Sequence, residues 1–237
     1  MNKSPFRDFL TLFFPDSCVG CKHGLALGED LLCSRCVNGL PFLDYCQYPE
    51  NPLSRRLVAA IDFAHAVALL KFQPGGLVQH LLHALKYGNQ PEVGLRMGRL
   101  LGEQIGEKGI VGRTEHLSDG FDLIIPVPLY RSRERKRGYN QSAMIAEGLS
   151  SVLNVPVGSN VIKRFRHTAT QTRYDRAERW RNMVEAFRVV NPGDIEGRRI
   201  LMVDDVITTG ATIEACSRAI MSFRPRSISA ACLADVP

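Results

Sequence analysis

Asp204 and Asp205 stand side by side after four apolar residues, Ile200 to Val203, and ahead of Thr208, Thr209, Gly210 and Thr212. That order can do chemistry on a phosphorylated sugar. A strand would fix the two acids at its carboxyl end, placed to accept hydrogen bonds from ribose hydroxyls. The backbone N–H groups of a Thr-Thr-Gly loop, with the positive start of the helix that follows, suit a dianionic phosphate. Val206 and Ala211 complete the stretch, and Gly210 gives the backbone room to approach a ligand. The same order also describes an ordinary strand-to-helix turn with polar caps. Two adjacent acids closing a buried strand argue against that, because such a spot repels charge unless something is bound.

A second chemistry lies near the N-terminus. Of seven cysteines, four form the pairs Cys18–Cys21 and Cys33–Cys36, with eleven residues between the pairs. Two CxxC knuckles at this spacing aim four thiolates at one point, which suits tetrahedral Zn²⁺. Such a shell is closed, so the metal would be structural. Disulfides and redox dithiols are the other readings. No secretory signal is evident, which disfavours disulfides, and a redox pair would open a helix after a strand, which neither pair is expected to do. His23 and Cys46 are near enough to substitute as ligands. Cys216 and Cys232 fall in apolar patterns and read as core.

The third feature is basic charge. Arg131, Arg133, Arg135, Lys136 and Arg137 put five positive residues in seven, just before Gly138, Tyr139 and Asn140. Residues 163–181 add Arg166, Arg173, Arg179 and four further Lys or Arg, with Tyr174 and Trp180 among them. Three readings stand: a solvated surface, a polyphosphate clamp of Arg forks, or a nucleic-acid track in which aromatics stack on unpaired bases.

These groups need a scaffold. At 237 residues, with 45% hydrophobic and 23% charged residues and a net charge of +6, the chain reads as an ordinary soluble globular protein of one or two domains. No 18-residue apolar run exists, so no membrane span is expected. Phe6, Phe9, Leu10 and Phe13 predict an amphipathic N-terminal helix. Residues 60–72 suggest paired strands, and 77–87 and 91–108 suggest helices. His80 and His83 read as surface histidines of the first. From residue 121 strands and helices alternate: strands at 121–128, 155–157, 187–190, 199–203 and 227–233, helices at 141–153 and 212–223. Apolar strands alternating with helices predict an α/β fold, a mostly parallel sheet with flanking helices. Ligands of such sheets bind outside the strand carboxyl ends, where Pro126, Val127, Pro128 and the acid pair both fall.

Three stretches together resemble the ComF/GntX family of phosphoribosyltransferase-like proteins: Val203 to Thr212; Ile124 to Leu129 with Arg137 to Ser142; and Arg166 to Thr172 with Glu178, Arg179, Asn182, Ala186 and Phe187. Residues 84–88 also look like the family, and with the cysteine pairs the likeness covers nearly the whole chain. The resemblance implies a type I phosphoribosyltransferase-like fold (53–237) behind a small N-terminal zinc-binding domain (1–52). It implies that 204–212 bind the ribose and 5′-phosphate of phosphoribosyl pyrophosphate with Mg²⁺. Residues 126–128 would open the pyrophosphate loop, shaped by a cis proline bond, and 166–182 would be a hood over the site. The family is linked to natural competence, so handling of single-stranded DNA in the cytoplasm is expected, with peripheral contact at the inner membrane as an alternative location. Two other functions remain open: phosphoribosyl transfer to an unidentified acceptor, and a scaffold for a ComF-type helicase. No residue stands out as a catalytic base.

Overall fold

Strands rich in Val, Ile, Leu and Ala must be buried on both faces, and a parallel sheet with helices on each side achieves this. The computed structural model describes residues 16–48, 50–58, 61–107, 120–165 and 186–237. The expected N-terminal helix, the hood at 166–182, and Arg166, Arg173 and Arg179 lie outside these residues. The order is α1 (Ser34–Asn38), a 3-10 turn at Tyr45–Gln47, α2 (Pro52–Val58), β1 (Ala66–Lys71), α3 (Leu77–Tyr87), α4 (Pro91–Glu107) and β2 (Leu123–Pro126). Then come α5 (Arg131–Arg137), α6 (Gln141–Leu153), β3 (Ile162–Arg164), β4 (Phe187–Val189), β5 (Arg199–Ile207), α7 (Ala211–Met221) and β6 (Ser227–Asp235).

Four strands form a parallel sheet in the order β1-β6-β5-β2. Side chains alternate along each strand, and the two faces have separate cores. Leu201, Val203 and Leu233 pack with Leu81, Leu85, Met97, Ile145 and Leu149 of α3, α4 and α6. Ile200, Met202 and Cys232 pack on the other side with Leu53, Leu57, Ile213 and Ile220 of α2 and α7.

Several expectations change. Residues 60–72 give one strand, β1, paired with distant β6 rather than with a neighbour in sequence. Residues 155–157 make only an isolated parallel bridge, Ile124 to Val157. β4 leaves the parallel sheet and pairs antiparallel with β3. The basic stretch at 131–137, given no element from its charge alone, forms a short helix, because Arg, Lys and Glu are good helix formers and Gly138 stops it in a left-handed conformation, φ 83°. No cis peptide bond occurs among the described residues, so Pro126 and Pro128 are both trans.

The N-terminal segment is sewn to the sheet. Phe42 bridges Leu70 and the Leu43 amide donates to Leu69 across 3.0 Å, which covers the edge of β1. Buried Asp235 at the end of β6 accepts from Arg56 and, at 3.1 Å, from the Tyr45 hydroxyl. Burial and the Asp235 charge push the Tyr45 hydroxyl up to about 12.

Candidate phosphoribosyl site and basic cavity

The ladder between β2 and β5 ends at Pro126 opposite Val203, with a closing bond from the Val127 amide to the Val203 carbonyl at 2.8 Å. On its other side β5 continues against β6 as far as Ile207. The two acids therefore lie inside the strand, not at its end, but on the stretch that has lost its β2 neighbour. Alternation sends them to opposite faces. Asp204 Oδ1 accepts from the Ser142 hydroxyl at 3.0 Å and from the Asp205 amide at 2.8 Å. Asp205 instead pairs with Lys86 of α3, Nζ to Oδ2 at 3.0 Å.

Burial pushes the Asp204 carboxyl up to about 7, and the neighbouring Asp205 charge adds to the shift. Half-buried Arg164 of β3 feels the Asp204 charge, and burial lowers the guanidinium from its ordinary range. Burial thus makes the ionised form of Asp204 costly in the free protein.

Beyond β5, Thr208 and Thr209 are exposed, Gly210 is buried, and Ala211 and Thr212 begin α7. The N-cap, Gly210, has no side chain to cap α7, and the Ala211 amide donates to Thr209 Oγ1 of the loop at 3.4 Å. Gly210 has φ 82°, and a Cβ there would lie 2.3 Å from Leu57 Cδ2. The glycine is required from beneath, by α2, as well as by the turn.

Asn140 holds the opposite wall. Its Nδ2 donates to the Val127 carbonyl at 3.0 Å and its Oδ1 accepts from the Ser142 amide at 3.1 Å, so the residues after Pro126 are tied to the start of α6. Pro126 and Val127 are buried and Pro128 is half-buried.

The basic stretch contributes a cavity of about 610 Å³. Arg133, Arg135, Lys136 and Arg137 of α5 line one side, with Gly138. Lys86, Tyr87 and Asn89 line the other. Lys86 therefore belongs both to this cavity and to the acid pair. Arg131 is exposed on α5 and is not part of the lining. Tyr139 is half-buried, and its hydroxyl donates to the Leu85 carbonyl at 2.6 Å, anchoring the end of α3. Lys86, Tyr87 and Ser142 were visible in the sequence only within family-like stretches, and Asn89 by no signal at all. What they touch depends on contacts between distant elements.

The four cysteines converge. Their Sγ atoms lie within 4.8 Å of one another, and Cys21 and Cys33 are 3.7 Å apart. Tetrahedral zinc with Zn–S near 2.3 Å places sulfurs about 3.8 Å apart, so the cluster could hold a metal such as zinc. Backbone and side-chain hydrogen bonds from His23 lower the Cys21 thiol to about 6, while burial and its neighbours raise the Cys36 thiol. All are free thiols, and Cys46 is buried outside the cluster. Cys33 is the N-cap of α1, so the second pair opens a helix, but only an isolated bridge and no strand precedes it among the described residues. The knuckle is seated on α3. His80 Nδ1 lies 2.9 Å from the Gly20 carbonyl, and a Cβ on Gly20 would meet Leu77 at 2.3 Å.

The phosphoribosyl transferase domain matches residues 140–237. Competence protein F of Haemophilus influenzae is 30% identical over 218 residues, covering 87% of this chain and 91% of that protein. DNA utilization protein YhgH of Escherichia coli O157:H7 is 32% identical over 240 residues, covering 94% and 98%. Among solved structures, the glutamine phosphoribosylpyrophosphate amidotransferase from B. subtilis aligns with a TM-score of 0.42 at 18% identity, over 63% of this chain and 30% of that one. A parallel α/β sheet with a phosphoribosyltransferase signature at its carboxyl edge defines the class. Within it, this chain belongs to the ComF family.

The raised Asp204 carboxyl carries a pH signature. Its protonated form is favoured on folding, so wild-type stability falls as pH rises from the ordinary carboxylate range through about 7. Asp204→Asn keeps an Oδ1 acceptor for Ser142 and removes the charge. Its melting temperature is predicted to exceed wild type by about 2 to 4 °C at pH 8, ~1 kcal/mol, with the advantage shrinking as pH falls and vanishing near the ordinary carboxylate value of 3.8. Thermal melts across this range check it, and an advantage independent of pH contradicts it.

Proposed function

We propose that the protein binds phosphoribosyl pyrophosphate with Mg²⁺ and handles incoming single-stranded DNA during natural transformation in the cytoplasm. The observation that carries this reading is the pairing of Asp205 with Lys86, which joins the acid pair of β5 to a cavity lined by cations. Asp204 and Asp205 take the ribose hydroxyls. Thr208 to Thr212 take the 5′-phosphate, and the walls after Pro126 take the diphosphate, with Mg²⁺ offsetting its charge. Arg131, Arg133, Arg135, Lys136 and Arg137, joined by Arg166, Arg173 and Arg179 on sequence grounds, take the DNA backbone. Competence protein F and DNA utilization protein YhgH carry names that support a role in DNA uptake. The intact acid pair favours a second reading, transfer of the phosphoribosyl group to an acceptor.

Residues 1–52 form, in this proposal, the zinc-binding unit, with Cys18, Cys21, Cys33 and Cys36 as ligands. Metal analysis of reduced, purified protein should give about one zinc per chain, and less than about half an equivalent contradicts it.

Phosphoribosyl pyrophosphate with Mg²⁺, at a hundredfold excess over Kd, should stabilise the fold by about 2.7 kcal/mol. The Asp204→Ala, Asp205→Ala double variant should lose that shift, and no shift in wild type overturns the site. Affinity for an oligonucleotide should fall steeply with salt, and the Arg133→Ala, Arg135→Ala, Arg137→Ala triple variant should bind more weakly with a shallower salt slope. Unchanged binding in the triple variant overturns the DNA track.

A further inference from the structure

Tyr87 closes α3 with 68% of its surface exposed. It lines the 610 Å³ cavity beside five cations, and no carboxylate is among the cavity's lining residues. The ring is held on two sides. The Arg137 guanidinium carbon sits 5.3 Å over it, and the His83 ring lies 5.1 Å away at 48°. Arg137 is itself fixed, donating from Nη1 to Gln141 Oε1 at 2.7 Å. These contacts restrain the ring while its exposure leaves much of it open.

A bare phosphate needs far less room and no aromatic surface. A cavity of this size fits a whole nucleotide, with cations for the phosphate and a restrained ring for the base. Asn89 adds an amide at the rim, held by a backbone in the left-handed region, φ 50°. Duplex DNA cannot use such a place, because its bases are stacked on one another. An unpaired base can.

We infer that Tyr87 is a stacking platform for one unpaired base of single-stranded DNA. Arg133, Arg135 and Lys136 hold the flanking phosphates, and Asn89 bonds the base edge. This rests on the single-strand reading proposed above, and it adds a base contact to what was a purely ionic track. Base–aromatic stacking removed by an alanine substitution lowers affinity about 5- to 150-fold, and the salt dependence, which counts phosphate contacts, stays the same.

The test uses the full chain and fluorescence anisotropy with a short oligodeoxynucleotide. Tyr87→Ala should weaken binding by that factor with an unchanged salt slope, and Tyr87→Phe should restore it. An oligonucleotide of abasic sites should bind wild type more weakly by a similar factor, yet bind wild type and Tyr87→Ala alike. A 2-aminopurine base in the strand should be quenched by wild type and less by Tyr87→Ala. Free dAMP should bind far more weakly than the oligonucleotide. Equal affinity of wild type and Tyr87→Ala for the oligonucleotide, at matched melting temperatures, overturns the platform and leaves the ionic track standing. dAMP binding as tightly as the strand overturns the strand assignment. If wild type binds no oligonucleotide at all, both the platform and the single-strand reading fall.

Discussion

On one side of β5 the hydrogen-bond ladder stops at Val203; on the other it runs on to Ile207. This mismatch in strand length is the constraint on which the rest of the site depends. At the opposite end the two strands are clamped: Asp122 accepts from the Arg199 amide at 2.8 Å and from its guanidinium at 2.7 and 3.0 Å, which lowers the Asp122 carboxyl to about 2. Register is thus fixed where the sheet is closed, and the strands part where it is open. Asp204 and Asp205 occupy the first two positions of the open stretch. Asp204 is bonded to Ser142 at the start of α6, and Asp205 is paired with Lys86 of α3.

Lys86 then ties two regions of opposite charge. It ends α3 between the acid edge of β5 and the cations of α5. The same helix carries the cysteine knuckle at its start, through His80 and Leu77 against Gly20. One rigid element therefore links the cysteine cluster, the acid pair and the basic cavity. The segment around Tyr45, Arg56 and Leu57 supports the Thr-Thr-Gly loop from below, with Asp235 as its anchor and Leu57 against Gly210.

Much of this was legible in the sequence. The helices at 77–87 and 141–153 have the bounds that their apolar spacing implies, because each buries one stripe against one sheet face. The acid pair, the Thr-Thr-Gly loop and the four cysteines announced themselves by type and spacing, since local turns bring them together. What was hidden is what depends on long-range pairing. β1 lies beside β6 because the sheet order requires it, not because its neighbours in sequence turn back on it. The bounds of β5 could not be read at Val203, because its extension is held by β6. Lys86 and Tyr87 showed only as the end of a helix within a family-like stretch, and their partners Asp205 and Arg137 come from far along the chain. The run at 131–137 was read by charge alone, and charge does not distinguish a loop from a short helix.

If Lys86 joins the two regions, a sugar diphosphate at β5 and a DNA phosphate at α5 draw on the same cation. Calorimetric titration of phosphoribosyl pyrophosphate with Mg²⁺, into free protein and into protein saturated with a single-stranded oligonucleotide, tests this directly. The account predicts saturable one-to-one binding to the free protein and clearly weaker binding to the DNA-loaded protein. Equal affinity in both titrations would contradict a shared crevice.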